Sequence, residues 1–398
     1  MKEHAKILIV TSTLTGGGAG NHILSLCRYL RSVSIDPFVL TIAARRQELE
    51  ERLESEGVPI LRHPLRSLIG ILSRKYRSGL RRTVESVDPD IVHAHQYHGE
   101  MTARVAARYT RAPLVVTRHS SGLEFSGTRR ALARIAAGRI GAAIAVSGDA
   151  AREAVSTGVP AAKISVIPNG VDTLRFRALD GPEKAARKRE ILGEYFPGDC
   201  PPDTVLVGAA GALKPVKNHA LFLRVASRAV RADPSLRERL RFIVAGEGEL
   251  RGELESQIAS AGLAGHVALP GYIDGLDDLL PCLDIFLVTS RSEGVPIALL
   301  EAMSSGAACV AGDVGDIAEI LGDAGLVMRP GDEDGFVEAV GRLAADGAGR
   351  TEIGRRARVR ALERFDVEIW GARTVSVYEK LLGGAWGEHA SRRRAIPR

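Results

Sequence analysis

Apolar and polar positions alternate in two rhythms along the chain. Short apolar runs at 6–11, 36–42, 90–94, 113–117 and 142–146 read as strands, and amphipathic stretches with helical spacing fill the gaps between them. Strand then helix, repeated, predicts a parallel sheet covered on both faces, because each parallel crossover needs a connection long enough to hold a helix. Residues 177–203 break the rhythm; charged and carrying Pro182, Pro197, Pro201 and Pro202, they read as a connection with a short helix. Strand signals return at 204–209, 241–245, 266–269, 284–288 and 308–311, and a last helical pattern covers 366–382. The openings AKILIVTSTLTGGGAGNHILSLCRYL and TVLVGAAGALKPVKNHALFLRVASRA share one plan of strand, loop and helix. The expectation is an α/β chain of two facing Rossmann-like, doubly wound domains, 1–180 and 181–384, with the last helix a candidate to return to the first domain and a basic tail at 385–398 that frays. Ligands of such sheets bind beyond the C-terminal strand ends, which makes a central cleft the expected site.

Composition narrows the class. A chain of 398 residues suits two domains, and 45% hydrophobic with 26% charged residues excludes disorder. The first apolar run is too short for a signal peptide, and the alanine-rich stretch 131–146 is cut by Arg134 and Arg139, so neither a leader nor a membrane span is expected. Cys27, Cys200, Cys282 and Cys309 form no CxxC pair, which disfavours a zinc site or a disulfide framework and fits a reducing cytoplasm.

Charge is uneven. Residues 1–180 hold 26 Lys/Arg against 16 Asp/Glu, a surplus of ten cations, whereas the remainder is net −4. An anionic partner for the first domain follows as an expectation. Between Glu56 and Glu85 there is no acid, while Arg62, Arg66, Arg74, Lys75, Arg77, Arg81 and Arg82 interleave with Leu65, Leu68, Ile69, Leu72 and Leu80. Such a segment, 62–82, suits either peripheral contact with an anionic membrane at its inner face or a solvated helix whose leucines pack inward. No aromatic platform accompanies the charge, so nucleic acid is not expected.

Chemistry concentrates in Glu293-Gly294-Val295-Pro296-Ile297-Ala298-Leu299-Leu300-Glu301, which follows an apolar strand and opens a helix. Proline suits the first helical turn, where its missing N–H has no intrahelical partner. Backbone N–H groups near Val295 to Ala298 are expected to point at the cleft, where a helix start attracts phosphate, and Glu301, further in, can accept hydrogen bonds from hydroxyls. Gly16, Gly17 and Gly18 let backbone approach a phosphate or sugar, or simply form a flexible turn. His93 and His95 offer a metal pair without an evident third ligand, and structural or acceptor-lining roles are favoured; no metal is expected. Asp88-Pro89-Asp90 satisfies a DxD pattern, but its place before a strand suits a turn. Asn169 and Gly170 read as either a hinge between domains or an ordinary turn.

At the run EGVPIALLEAMSSG the chain resembles the retaining glycosyltransferases of family 4, whose hallmark is two glutamates separated by seven residues in EGxPxxLLEAMxxG. TGGGAGNHILSLCRYL, DIVHAH, VVTRHSSG, AVSGDAAREAV, KISVIPNGVD, FIVAGEGELRGELE and DVGDIAEIL resemble the same family in the same order, over about 6–382. The resemblance implies a GT-B fold and transfer of a sugar from a nucleoside diphosphate donor, UDP before GDP, to a hydroxyl acceptor, without metal or other cofactor. It puts Glu301 on the ribose, Glu293 on the donor sugar, and Gly294, Val295, Pro296, Ile297 and Ala298 around sugar and diphosphate. Lys217 matches the lysine that neutralises the leaving diphosphate, His119 the histidine at the reaction centre, Gly17 and Gly18 the donor loop, and Tyr272 a base-pocket position. The family often carries an arginine shortly before that lysine, where this chain has Ala212; Lys214 is the substitute cation, without the bidentate fork of arginine.

An anionic or lipid-linked acceptor in envelope or polysaccharide synthesis fits both the basic first domain and the family. A nucleotide-sugar epimerase of the same fold and a nucleotide-sugar-binding protein without turnover are the rivals. A dehydrogenase fits least, because residues 16–20 lack a GxGxxG register.

Overall fold

The computed structural model describes residues 5–119, 127, 133–134 and 137–383; the expected basic tail lies outside them. Two units divide the chain, one formed by Met1–Gly170 with Val367–Arg398, the other by Val171–Asp366.

In the first unit seven parallel strands stand in the order β3-β2-β1-β4-β5-β6-β7: β1 (Ala5–Thr11), β2 (Ile35–Thr41), β3 (Ile60–Arg62), β4 (Ile91–His95), β5 (Leu114–Arg118), β6 (Ile140–Ala145) and β7 (Ile164–Val166). Strand geometry sends alternate side chains to opposite faces. Ile7 and Ile9 of β1 accordingly join the core beneath the helix Gly18–Ser32, while Leu8 and Val10 join the one beneath the helix Arg74–Val87. Both faces are dry, as a parallel sheet requires.

Six strands form the second sheet in the order β10-β9-β8-β11-β12-β13: β8 (Val205–Ala210), β9 (Leu240–Ala245), β10 (Val267–Gly271), β11 (Ile285–Val288), β12 (Ala308–Gly312) and β13 (Leu326–Met328). Val205 and Val207 pack on the helix His219–Ala232, where Phe222 meets Phe242 edge to face with ring centroids 5.9 Å apart.

The boundary falls at Gly170 rather than at 180. Val171 donates its N–H to the Phe365 carbonyl at 2.8 Å and bridges Asp366, and the Phe176 carbonyl accepts from Ser304 at 2.6 Å, so residues 171–180 are bonded into the second unit. The helix Val367–Leu381 packs on the first unit, burying Trp370, Val375, Val377 and Tyr378 in its core. Gly170 is required here by space, since a Cβ would stand 2.7 Å from that of Trp370. The connection at 177–203 holds a full helix, Gly181–Tyr195, in place of the short one expected. No described helix is long and apolar enough to cross a membrane.

The basic segment is not one helix. It runs through β3, a single 3-10 turn at Leu68–Leu72 and the helix Arg74–Val87. Ile71 and Leu80 are buried, whereas Ile69 is 79% and Leu72 64% exposed. Inward packing therefore holds for Ile71 and Leu80, while Ile69 and Leu72 stay on the surface.

Candidate functional site

In each sheet, strand order reverses direction between two central strands, β1 and β4 in the first, β8 and β11 in the second. Loops leaving such a pair diverge and open a crevice at the C-terminal edge, where ligands of open α/β sheets bind.

In the second unit the loops after β8 and β11 are laced together. Arg291 donates its N–H to the Val216 carbonyl at 2.8 Å, and the Asn218 amide donates to the Thr289 carbonyl at 3.2 Å. Asn218 takes a left-handed conformation, φ 53°, to end the short turn Pro215–Lys217 and begin the next helix. This lacing brings Lys217 Nζ to 2.6 Å from Glu293 Oε1. Ser290 donates to the same oxygen at 2.6 Å, fixing the carboxylate from the other side. Gly315, at φ +59°, supports the loop from below: a Cβ there would stand 2.2 Å from the Glu293 carbonyl.

Beyond Glu293 the helix runs Ile297–Ser304, with Pro296 at its N-cap and not in its first turn as the sequence suggested. Proline's extended backbone, φ −68° and ψ 115°, suits that position. Among the described residues no side chain caps this end, and the Ile297 and Ala298 N–H groups have no backbone partner. Unpaired donors with the positive end of the helix dipole form an anion site. Gly294 and Val295 complete the loop, with Val295 buried.

Glu301, one turn on, lies beside an Arg175–Asp277 ion pair of 2.6 Å. Burial raises its carboxyl to about 7, Arg175 pulling it back down and Asp277 pushing it up. Ala212 and Lys214 are both exposed on the loop preceding Lys217. Tyr272, 52% exposed, follows the end of β10.

On the first unit, Gly17 is the N-cap of the helix Gly18–Ser32, and both Gly17 and Gly18 are exposed, with nothing among the described residues within 4 Å of a Cβ at Gly17. Gln96, after β4, ties the neighbouring loop by accepting from the Ser12 and Thr13 N–H groups at 3.1 and 3.0 Å. Buried Arg118 at the end of β5 binds Glu100 and so fixes where the chain turns into His119. His119 Nε2 lies 3.0 Å from His95 Nδ1, and His22 joins them. The sequence saw no third partner for the pair His93 and His95; the structure supplies two for His95, while His93 is taken up by the Tyr378 hydroxyl at 2.6 Å and the Thr117 hydroxyl at 2.7 Å. Asp88 caps a helix in the left-handed region and Asp90 accepts from the Lys6 N–H at 2.9 Å, so the DxD pattern is a turn.

Sequence reasoning did not single out Ser290, Arg175, Asp277, Gln96 or His22. Ser290 and Arg175 flank motifs that it did recognise; His22 and Gln96 acquire their roles only through strand neighbours distant in sequence.

Two parallel sheets of this order, with a cation, two carboxylates and an uncapped helix start at the switch point of the second, define a GT-B glycosyltransferase. Residues 16–175 match the Glycosyltransferase Family 4 domain and residues 204–346 the Glycosyl transferases group 1 domain: the chain belongs to glycosyltransferase family 4. Among its relatives are a phosphatidyl-myo-inositol mannosyltransferase of Mycolicibacterium smegmatis, 27% identical over 92% of this chain and 91% of that protein, and a UDP-Gal:alpha-D-GlcNAc-diphosphoundecaprenol alpha-1,3-galactosyltransferase of Escherichia coli, 27% identical over 75% and 76%. The Anabaena protein HepE, solved with UDP, shares the fold with a TM-score of 0.80 at 22% identity, over 94% of this chain and 100% of that one.

Proposed function

We propose that the enzyme moves a sugar with retention from a nucleoside diphosphate donor, UDP before GDP, to a hydroxyl acceptor. The observation that carries this reading is the Lys217–Glu293 pair beside the open start of the helix Ile297–Ser304. Leaving diphosphate develops negative charge as the glycosidic bond breaks. Lys217 and the Ile297 and Ala298 N–H groups stabilise it without a metal or other cofactor, as preorganised donors do. Glu293 orients Lys217 and the sugar hydroxyls, and Glu301 accepts from the ribose. With no carboxylate assigned as a nucleophile, the acceptor enters on the face the diphosphate leaves, through an oxocarbenium-like ion pair, and the diphosphate takes its proton.

HepE was solved with UDP and with UDP-glucose, which supports a uridine donor. His119 and the Gly17–Gly18 loop lie at the strand-end edge of the first unit; we place His119 on the donor sugar at the reaction centre and the loop on the donor diphosphate. A lipid-linked or anionic acceptor in envelope glycan synthesis is supported by the acceptors in the names of the two relatives and by exposed Ile69 and Leu72 near exposed Arg66, Arg74 and Lys75. The enzyme then works in the cytoplasm, touching the inner face of the membrane at 62–82.

A thermal-shift panel of UDP-, GDP- and ADP-sugars on the wild type and Glu301→Ala tests the donor site; a ligand at about 100 times its dissociation constant adds roughly 2.7 kcal/mol. Stabilisation by one donor, lost in the variant, names the base. No shift at millimolar concentrations sinks the reading, and a shift without turnover on any acceptor leaves a binding protein in its place. Co-sedimentation with phosphatidylglycerol vesicles, weakened in Ile69→Asp/Leu72→Asp, tests the membrane contact.

A further inference from the structure

The first unit gathers three imidazoles that its fold does not need to gather. His22 comes from the helix Gly18–Ser32, His95 from the end of β4 and His119 from just beyond β5. One ring nitrogen from each lies within 4.8 Å of the other two. Their ring centroids form a nearly regular triangle with sides of 5.3, 4.6 and 5.2 Å. Three imidazoles on a tetrahedral ion, with metal–nitrogen bonds of about 2.0–2.1 Å, have centroids roughly 5.2 Å apart and nitrogens roughly 3.4 Å apart. His95 Nδ1 and His119 Nε2 already stand at 3.0 Å. Drawing a triangle of nitrogens at the 4.8 Å limit onto one ion takes a shift of about 0.8 Å per ring.

Hydrogen bonding prepares the cluster for the same role. The Asn169 side-chain oxygen, 2.9 Å from His22 Nδ1, is an acceptor and so fixes the proton on that nitrogen. The Nε2 lone pair of His22 is thereby left for a ligand, the outer-shell arrangement typical of metal-bound histidine. Trp370 stands edge-on to His22 with centroids 4.8 Å apart and holds the ring in place.

We propose that His22, His95 and His119 form a binding site for a divalent transition metal of the zinc class, with an open fourth position. Three neutral imidazoles select Zn2+, Co2+ or Ni2+ over Mg2+ or Ca2+, which take oxygen ligands. The fourth position takes water or an oxygen of a bound molecule. This site lies on the first unit, whereas Lys217 and Glu293 belong to the second.

The test is metal binding by the full-length protein and does not depend on turnover. EDTA-stripped protein is titrated with Co2+, whose visible bands intensify in four-coordinate nitrogen sites, and then with Zn2+ in competition. One equivalent is expected, weakened roughly tenfold or more in His22→Gln and His95→Gln, weakened about 10–100-fold in Asn169→Ala, and unchanged in His266→Gln. No uptake at millimolar metal overturns the proposal, as does uptake equal in wild type and all variants. Should the buried substitutions unfold the protein, X-ray absorption on the zinc-loaded wild type decides: three imidazoles in the zinc shell are expected, and one or none overturns it.

Discussion

Lys217 Nζ and Glu293 Oε1 stand 2.6 Å apart although 76 residues separate them in sequence. A charge pair formed before substrate arrives restrains the lysine, so less rotamer entropy is lost when a diphosphate binds beside it. Lys217→Ala is expected to lower kcat roughly 10²–10³-fold, the loss seen when one preorganised donor to developing charge is removed. Glu293→Gln frees the lysine and lowers kcat as well. Steady-state kinetics with the donor identified by thermal shift measure both, and an unchanged kcat in Lys217→Ala refutes the assignment.

With Glu301 on the ribose, as proposed, nucleotide binding and stability are expected to depend on pH in opposite senses. Its carboxyl is raised from 4.5 to about 7 by burial, so the native state holds an extra proton between those values and stability falls as pH rises through them. Glu301→Gln removes the penalty. Without ligand it is expected to be the more stable form above pH 7, by on the order of 2–3 kcal/mol, with the difference vanishing near pH 4.5. Affinity for a UDP-sugar rises in the wild type from pH 6 to 8, as the carboxylate becomes a full acceptor for ribose hydroxyls, and stays flat in the variant. Urea denaturation and calorimetry across that range measure the two trends.

Ala212 marks where a second cation is missing. It is exposed on the loop before Lys217, so a longer side chain meets solvent and not the core. Ala212→Arg is expected to tighten UDP binding by about 1.5 kcal/mol, roughly tenfold, the scale of a hydrogen bond to a charged group. Equal affinity in the two proteins means that this loop position does not reach the diphosphate.

Gly315 carries the Glu293 loop at a distance that excludes a methyl group. With φ at +59° and a Cβ position 2.2 Å from the Glu293 carbonyl, Gly315→Ala is expected to cost roughly 2–4 kcal/mol and to move Glu293 away from Lys217. The denaturation midpoint and turnover are both lowered, whereas Gly341→Ala, on a helix surface with nothing among the described residues within 4 Å, leaves both intact.

The strand-and-helix rhythm sufficed for the core strands because both faces of a parallel sheet are apolar and continuous runs announce them. β3, β7 and β13 escaped notice: each has three residues and only a partly buried pattern at the edge or near it. Prolines misled at 177–203. Four prolines suggest a connection with only a short helix, yet Pro182 sits in the first turn after Asp180, whose carboxylate accepts from the Glu183 N–H, and so begins a helix of 15 residues. At the site, Lys217, Glu293 and Glu301 were legible because local motifs carry them. The grouping of His22 with His95 and His119 was not, since it arises where the helix after β1 meets the ends of β4 and β5, far apart in sequence.

That helix, Val367–Leu381, has a bearing on synthesis. The ribosome delivers the seven strands of the first sheet early, but Trp370 and Tyr378, which fill that unit's core, emerge only after every residue of the other unit. The second unit, Val171–Asp366, can therefore close on the nascent chain while the first still waits with an open apolar face. The part of the enzyme made first is thus the part completed last, its core closed by residues from the other end of the chain.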